Sequence, residues 1–481
     1  MTTFLIGLVI LLVGGFAYGR FTEKVFQPDD RETPAIKSQD GVDYVPMDKK
    51  KNALIELLNI AGTGPILGPI QGILFGPIAF ILIPIGCVLG GAVHDYMSGM
   101  ISLRSDGAQM PALIKRNLGG KVYSVYNVFV ILLMVLVGAV FIYTPGDLIV
   151  ANVLHQEAIA SNPVVWIVYA CIFAYYIIAT LFPIDKIIGR VYPIFGGILL
   201  LSAIGIFFGL FIKGYPLDNL TMNNIAGVHP DGIHLLPVFF VTVACGIVSG
   251  FHSTQATLIG RSVKSEKEGR FVFYDMMILE GFIAMIWAAA AMGIYNMGID
   301  AGLIGKPAVI GLVANDMLGT VGGLIAVIGI IVLPITSGDT ALRSARLMIA
   351  DHLNISQKDM KNRLSLSLAI FAGVLVILIF AKLSPNGFNV LWQYFAWANQ
   401  TIAVFAFAMI AIYLKRHGRA YLVSLIPGMF YVYIIMAYIF GAKIGFRLPY
   451  MAANIIGVVA ALIYGYIVSK EGSKQQDLAK A

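Results

Sequence analysis

The sequence predicts an all-α membrane protein that crosses the bilayer many times. Of its 481 residues, 58% are hydrophobic and only 12% are charged, whereas soluble domains carry roughly 25% charged residues. The mean hydropathy is +0.84. Apolar runs of about 20 residues, the length that spans a bilayer as a helix, recur along the whole chain. These observations exclude a soluble protein with a single membrane anchor.

Thirteen apolar runs predict thirteen transmembrane helices. The first run lacks the basic residues before it and the small-residue cleavage site after it that mark a secretory signal. We therefore interpret it as an uncleaved extra helix and call the other twelve core helices one to twelve. The predicted spans are 3–19, 53–75, 78–101, 122–143, 162–182, 187–212, 235–258, 271–298, 320–345, 364–382, 387–413, 419–440 and 448–468.

The charge of the loops predicts the orientation of these spans. With the N-terminus outside and the spans alternating, 28 of the 33 Lys and Arg residues belong to cytoplasmic segments and five to external ones. Cytoplasmic loops of membrane proteins carry such an excess of basic residues. The net charge of +7 therefore reflects topology and does not indicate binding of nucleic acid. We expect membrane lipid and no nucleic acid as partners. The same alternation of spans places the C-terminus in the cytoplasm.

Core helices one and six are predicted to be broken. Gly and Pro interrupt core helix one over residues 59–69 (NIAGTGPILGP), and core helix six contains the polar, Gly-containing stretch 244–255 (ACGIVSGFHSTQ). Broken helices are tolerated at membrane depth only where they are buried in protein or line a cavity. Core helix six is five helices after core helix one, and because five is an odd number the two helices cross the membrane in opposite directions. The pattern therefore predicts an inverted-repeat transporter with its binding site at the two breaks.

This interpretation divides the chain into seven segments. Residues 1–20 form the extra N-terminal helix, 21–52 a cytoplasmic loop and 53–212 the first five-helix repeat. An external loop, 213–234, leads into the second, inverted repeat at 235–413. Two C-terminal transmembrane helices occupy 414–468, and 469–481 form a cytoplasmic tail.

Several stretches resemble the carbon starvation protein A (CstA) family of bacterial inner-membrane transporters. The resemblance implies a LeuT-like fold of five plus five helices and a multi-pass location in the bacterial inner membrane. It also implies uptake of peptides or pyruvate, driven by protons or another cation and linked to carbon starvation. Larger members of the family have long C-terminal regions, and the resemblance implies no function for this chain from those regions. The matching stretches are 41–46, 60–69, 94–95, 249–255, 269–270, 273–281 and 338–343.

Substrate binding is predicted at the breaks. Unwinding frees N–H groups that attract a carboxylate and carbonyl groups that coordinate a cation. The alternative is that the glycines only permit close packing and the prolines only kink the helix. The predicted substrate-binding residues are Asn59, Gly62, Thr63, Gly64, Gly246, Ser249, His252, Ser253 and Gln255.

A coupling site for H+ or Na+ is predicted on core helix eight. A charged side chain at membrane depth is costly and therefore a candidate for function, and Asp339 lies within such a span. Alternatively, Asp339 only pairs with Arg343, four residues later on the same helix face. The predicted ion-coupling residues are Asp339, Thr336, Ser337 and Thr340, together with Ala61 of the first break.

A gate or proton relay is predicted from three further polar residues in the spans, His94, Asp95 and Glu280. Histidine changes its charge near neutral pH, which suits proton transfer. Hydrogen bonds that tie helices together are the alternative interpretation. Glu56 is expected to be solvated at the cytoplasmic mouth.

The sequence therefore predicts a secondary active transporter that imports a small carboxylated nutrient. The alternative is a membrane-embedded nutrient sensor that binds the same ligand without coupled transport. An enzyme is not expected, because no His pair has metal-ligand spacing and no Gly-x-Ser-x-Gly motif stands out. We expect no cofactor and no metal apart from H+ or Na+ as the coupling ion. Peptide and pyruvate both stay open as substrates, as does the oligomeric state.

Overall fold

The protein is a bundle of α-helices, and no described residue lies in a β-strand. A computed structural model describes residues 1–41, 44–181, 185–353, 355 and 359–474. Val42 and Asp43 of one family stretch, and 475–481 of the predicted tail, lie outside the described residues. Within the described chain, eleven helices are long and apolar enough to cross a membrane, and one bent pair makes a twelfth span. The predicted all-α multi-pass architecture is confirmed.

A shorter apolar helix, α8, coincides with the remaining predicted span. The helices are α1 (Thr2–Phe26), α2 (Pro34–Lys37), α3 (Lys49–Ile60), α4 (Gly64–Phe75), α5 (Ala79–Arg104), α6 (Met110–Leu118), α7 (Gly120–Val153), α8 (Pro163–Leu181), α9 (Asp185–Ile212), α10 (Leu235–Val243), α11 (Gly250–Ile259), α12 (Glu266–Asn296), α13 (Ala301–Ile304), α14 (Val309–Leu353), α15 (Met360–Leu383), α16 (Gly387–Arg416), α17 (Leu422–Gly441) and α18 (Tyr450–Gly472).

The predicted break in core helix one is confirmed. The two halves, α3 and α4, meet at an angle of 52°. Ala61 leaves the helical region with a ψ of 56°. Pro65 lies in the first turn of α4, where its missing N–H has no intrahelical partner to lose and its fixed φ suits a helix start.

Core helix six is also broken. After α10 the chain makes a short turn at Ala244–Gly246 before α11 begins at Gly250. Ala244 has a φ of 41°, a left-handed conformation that is uncommon for residues other than glycine. Ser249 is extended, with φ −135° and ψ 125°. The backbone therefore leaves the helical path between residues 244 and 249.

The two broken helices touch each other through glycine. A Cβ atom on Gly64 would lie 2.7 Å from the Sγ atom of Cys245, and one on Gly68 would overlap the carbonyl oxygen of Val243. Only a residue without a side chain permits this approach of one backbone to the other. The breaks are therefore neighbours in the core of the bundle.

At one end of the bundle, α1 meets the predicted external loop. The amino group of Met1 donates hydrogen bonds to the Leu217 carbonyl (2.8 Å) and to Asn219 Oδ1 (3.2 Å). At its other end α1 continues to Phe26, beyond the predicted limit at residue 20. The N-terminus and residues 217–219 therefore lie on the same side of the bundle.

The segment after α1 joins an ion-pair network at the opposite end. Arg104 donates two hydrogen bonds to the carboxylate of Glu266, at 2.8 and 2.7 Å. The backbone N–H of Asp29 also donates to Glu266, at 3.0 Å. Arg31 bonds the Asp29 carboxylate and holds the pKa of that group well below its usual range. These contacts anchor residues 27–31 to the end of α5 and the start of α12.

Candidate functional site

Thr63 lies at the centre of the first break, and its hydroxyl group has no hydrogen-bond partner among the described residues. Its side chain is fully buried. A buried polar group without a partner costs about 1–3 kcal/mol, which a ligand hydroxyl or carboxylate can offset. Across the break, Gly62 faces the ring of Phe141.

A cavity of about 1100 Å³ extends to both broken helices. Gln71 of α4 and Thr242, two residues before the second break, line it together with Trp392. His229 of the predicted external loop and several residues of 301–308 also line it. The cavity therefore touches both broken helices and the side that the sequence predicts to be external, whereas residues 61–64 and 244–249 of the breaks are not in its lining.

A buried ion pair lies in the wall of this cavity. Lys382 Nζ lies 2.7 and 2.9 Å from the two carboxylate oxygens of Asp147 and donates to the Ala158 carbonyl at 2.7 Å. Tyr169 also donates to Asp147, at 2.6 Å. All three Lys382 protons are thereby engaged. Neither residue of this pair is among those predicted from the sequence, although a lone Asp in the apolar run of α7 is a signal.

Four titratable side chains from three helices meet in the core. Asp95 Oδ1 lies 2.8 Å from His94 Nδ1, and Asp95 Oδ2 lies 3.2 Å from His252 Nδ1. The same His252 nitrogen is 3.6 Å from Glu280 Oε2. All four side chains are at most 2% exposed. The structure thus joins His252, predicted to bind substrate, to the three predicted relay residues.

Glu56 faces this group, and the expectation that it is solvated is wrong. Its side chain is fully buried, and neither carboxyl oxygen forms a hydrogen bond with a described residue. A charge on Glu56 would be repelled by the charges of Asp95 and Glu280. The physical reason is that α3 packs along α11 and α12, which removes its inner turns from solvent. The apolar neighbours Leu57 and Leu58 were the available signal.

Asn399 of α16 holds the second break in place. Its Oδ1 atom accepts from the backbone N–H of Phe251 (2.9 Å) and from Ser249 Oγ (3.2 Å), and its Nδ2 atom contacts Cys245 Sγ (3.2 Å). Ser249, predicted to bind substrate, is therefore engaged within the protein. Ser253 donates to the Gly250 carbonyl at 2.7 Å.

The remaining predicted binding residues lie at or next to the breaks. Gly246 packs against Pro69 so closely that a Cβ atom on Gly246 would lie 2.9 Å from the proline ring. Gln255 donates to the neighbouring Thr254 hydroxyl at 3.2 Å. Asn59 lies in the last turn of α3 and Ala61 in the break itself.

Asp339 forms its own cluster on α14. Tyr175 of α8 donates to Asp339 Oδ2, and Thr340 donates to Oδ1, both at 3.0 Å. The Thr336 hydroxyl donates back to the carbonyls of its own helix, while Ser337 is almost fully buried. Arg343 donates to the carbonyl of Ala179. No group of three or more His, Cys, Asp or Glu residues in the described chain has the geometry to hold a metal ion.

Comparison with known proteins shows the family and the fold. The family model described as "Carbon starvation protein CstA" matches residues 1–182, 144–321 and 308–438. An uncharacterized membrane protein of Haemophilus influenzae is 41% identical over 341 residues, which cover 62% of this chain and 92% of that protein.

Two named relatives come from Escherichia coli. The peptide transporter CstA is 25% identical over 544 residues, covering 87% of this chain and 77% of that protein. The pyruvate/proton symporter BtsT is 27% identical over 354 residues, covering 61% of this chain and 49% of that protein. Each of these activities is a property of the relative that is named for it.

A solved structure confirms the LeuT-like fold. The Eremococcus coleocola manganese transporter superposes with a TM-score of 0.54 at 12% sequence identity, covering 88% of this chain and 92% of that one. At this identity the similarity concerns the fold alone, so the site of that transporter is not transferred.

Proposed function

The chain belongs to the carbon starvation protein CstA family, and we propose that it is a secondary active transporter that imports a small carboxylated nutrient by alternating access. The supporting observation is the contact between two broken helices beneath a cavity that reaches both of them. Broken helices of this kind form the substrate sites of inverted-repeat transporters. The unpartnered Thr63 hydroxyl provides a group for the substrate.

We further propose the arrangement in the bacterial inner membrane that loop charge predicts, with the N-terminus outside. Contact between Met1 and residues 217–219, both predicted to be external, supports it. With that orientation the cavity opens outward, and the Arg104–Glu266 network closes the cytoplasmic end. The structure then corresponds to an outward-facing state.

Peptide and pyruvate are the two substrates proposed, since relatives are named for each. H+ or Na+ drives uptake, and the Asp339 cluster on α14, with Ala61 at the break, participates in the coupling. A sensor that binds the same ligand without coupled flux is the alternative that the first experiment must separate from transport.

The experiment is a flux assay in reconstituted liposomes. Labelled pyruvate and a labelled dipeptide are followed under separately imposed proton and sodium gradients. Accumulation of either compound against its own gradient is expected, and it identifies substrate and ion together. Specific binding without gradient-driven flux would favour the sensor, and neither binding nor flux with either compound would contradict the proposed substrates.

Thr63→Val tests the place of binding. Valine keeps the shape of threonine but removes the hydroxyl, so we expect a KM raised roughly 10-fold, the effect of about 1.4 kcal/mol of binding energy. Thr22→Val is the matched control, because Thr22 is also buried but its hydroxyl bonds the Tyr18 carbonyl of its own helix at 2.8 Å. Equal KM values in the two variants would place the substrate elsewhere.

A further inference from the structure

Glu56 is the one member of its buried cluster without a described hydrogen-bond or ion-pair partner for either oxygen. Asp95 contacts two histidines, and Glu280 lies 3.6 Å from His252. Both oxygens of Glu56 are buried in the core without a described donor. Burying an ionised carboxylate without a partner is far more costly than burying the neutral acid. The charge of Glu56 is therefore controlled by a proton and not by a fixed cation.

The charges around Glu56 favour the same conclusion. Among the described residues, the charged groups that act on Glu56 are Asp95 of α5 and Glu280 of α12, both of them acidic. The cluster's histidines contact these two carboxylates. Even with both histidines protonated, three ionised carboxylates would leave a net negative charge in the core. One carboxyl group must then carry a proton, and Glu56 is the one that lacks a basic contact in the described chain.

Glu56 is also close to the proposed substrate. It lies five residues before Ala61 on α3, or about 7.5 Å along the helix axis at 1.5 Å per residue. A carboxylate bound at the break would bring a further negative charge to this distance in a medium of low dielectric constant. A protonated Glu56 lets that charge enter without another negative charge beside it. Binding of the anion and binding of the proton therefore favour each other.

We propose that the coupling ion is H+ and that Glu56 is its carrier. Glu56 is protonated while the cavity faces outward, and it releases the proton to the cytoplasm after the transporter has changed to its inward-facing state. This inference rests on the proposed transport function and names its ion. One proton moves in with one substrate carboxylate. Asp95 and Glu280 keep the surroundings of Glu56 negative, and His252, which contacts both of these carboxylates, acts as their positioning residue.

The test compares two activities of the same reconstituted protein, using whichever of pyruvate or the dipeptide the wild type accumulates. Counterflow is the exchange of labelled for unlabelled substrate in the absence of an ion gradient. It reports substrate binding and the change between the outward-facing and inward-facing states. Accumulation under an inward proton gradient, recorded together with the pH of the vesicle lumen, reports coupling. We expect Glu56→Gln to keep counterflow but to lose at least 10-fold in proton-driven accumulation, and Glu56→Asp to keep both activities.

Glu32→Gln is the matched control, since Glu32 is exposed on the segment after α1, and it should behave as the wild type. Proton-coupled accumulation by Glu56→Gln, or accumulation by the wild type under sodium alone, would overturn the assignment. If the wild type shows neither counterflow nor accumulation, the proposed transport function is contradicted. This outcome is distinguishable from a failure of the Glu56 assignment, in which the wild type is active.

A measurement on the wild type covers the case in which Glu56→Gln does not fold. Dicyclohexylcarbodiimide reacts with protonated carboxyl groups in apolar surroundings, and peptide mass spectrometry locates the product. We expect modification of Glu56 that slows as the pH rises and that abolishes proton-driven accumulation in parallel. Absence of the adduct at Glu56, at a pH where the wild type is coupled, would overturn the proposal.

Discussion

Asn399 on α16 accepts a hydrogen bond from the backbone N–H of Phe251, 2.9 Å away in the first turn of α11. A side chain of one helix thus satisfies an N–H group that the helix start leaves without an intrahelical partner. The same amide also bonds Ser249. The unwound stretch of core helix six is therefore held in place by a neighbouring helix.

Replacing Asn399 by Ala should destabilise the protein. The change leaves the partly buried Phe251 N–H and the buried Ser249 hydroxyl without their partner, and a buried polar group without a partner costs about 1–3 kcal/mol. Thermal unfolding in detergent should show a clearly lower midpoint. Asn117→Ala is the control, because the side-chain hydrogen bond that the described residues give Asn117 goes to the Leu113 carbonyl of its own helix. Equal midpoints for both variants would show that Asn399 does not hold the break.

Gly68 should not tolerate a side chain. A Cβ atom there would overlap the backbone carbonyl of Val243, which cannot rotate away as a side chain can. We expect Gly68→Ala to separate the broken helices and to lower transport at least 10-fold. Gly14→Ala adds the same methyl group where no atom lies within 4 Å and should leave transport unchanged. Normal flux through Gly68→Ala would contradict the close approach of the two helices.

Asp339→Asn should abolish uphill uptake while leaving expression intact. The amide keeps the size of the side chain and can still accept from Tyr175, but it removes the charge that the proposed coupling needs. Asp30→Asn is the control, since Asp30 forms an exposed pair with Lys267 at 2.6 Å. The readout is accumulation in liposomes. Undiminished accumulation by Asp339→Asn would refute its role in coupling.

The loop that contains His229, which is predicted to be external, should loosen in acid. This side chain packs on the ring of Phe75, with 4.9 Å between ring centroids, and its burial lowers its pKa below the usual value while Asp231 opposes the shift. A lowered pKa means that packing favours the neutral form of His229, so the packed state is fully stabilised at pH values above the ordinary histidine pKa of about 6.5. That stabilisation is lost as the pH falls through the pKa of the packed side chain.

A spin label at position 222, which is exposed in the same loop, measures this effect. Its mobility should increase as the pH falls below about 6.5, through the lowered pKa of His229. His229→Phe keeps the ring contact but cannot be protonated, so its loop should respond little to pH. An equal pH response in the wild type and this variant would assign the transition to another group.

The spans and the breaks were readable from the sequence because each depends on local chemistry. An apolar run of about 20 residues needs a bilayer, and Gly62, Gly64 and Pro65 interrupt a helix wherever it lies. The structure places helices at the predicted spans within the described residues. The orientation of the termini and the roles of the site residues stay predictions.

The contacts between helices were not readable in the same way. Glu56 was expected to be in solvent and is buried, because its environment depends on which helices pack beside α3. His252 is predicted from the sequence to bind substrate, and that role stays a prediction; its contacts with Asp95 and Glu280 are seen only in the structure. Separations of 157 and 28 residues along the chain carry no signal of these distances.

Hydropathy, backbone propensity and motifs are properties of short stretches, so an all-α protein with many spans, two broken helices and its family can be predicted from the sequence. The contact between the breaks, the bonds from Asn399 to one of them and the five titratable side chains in one buried core are visible only in the folded bundle. Burial and charge pairing depend on distances between helices, and these are set when the whole bundle packs.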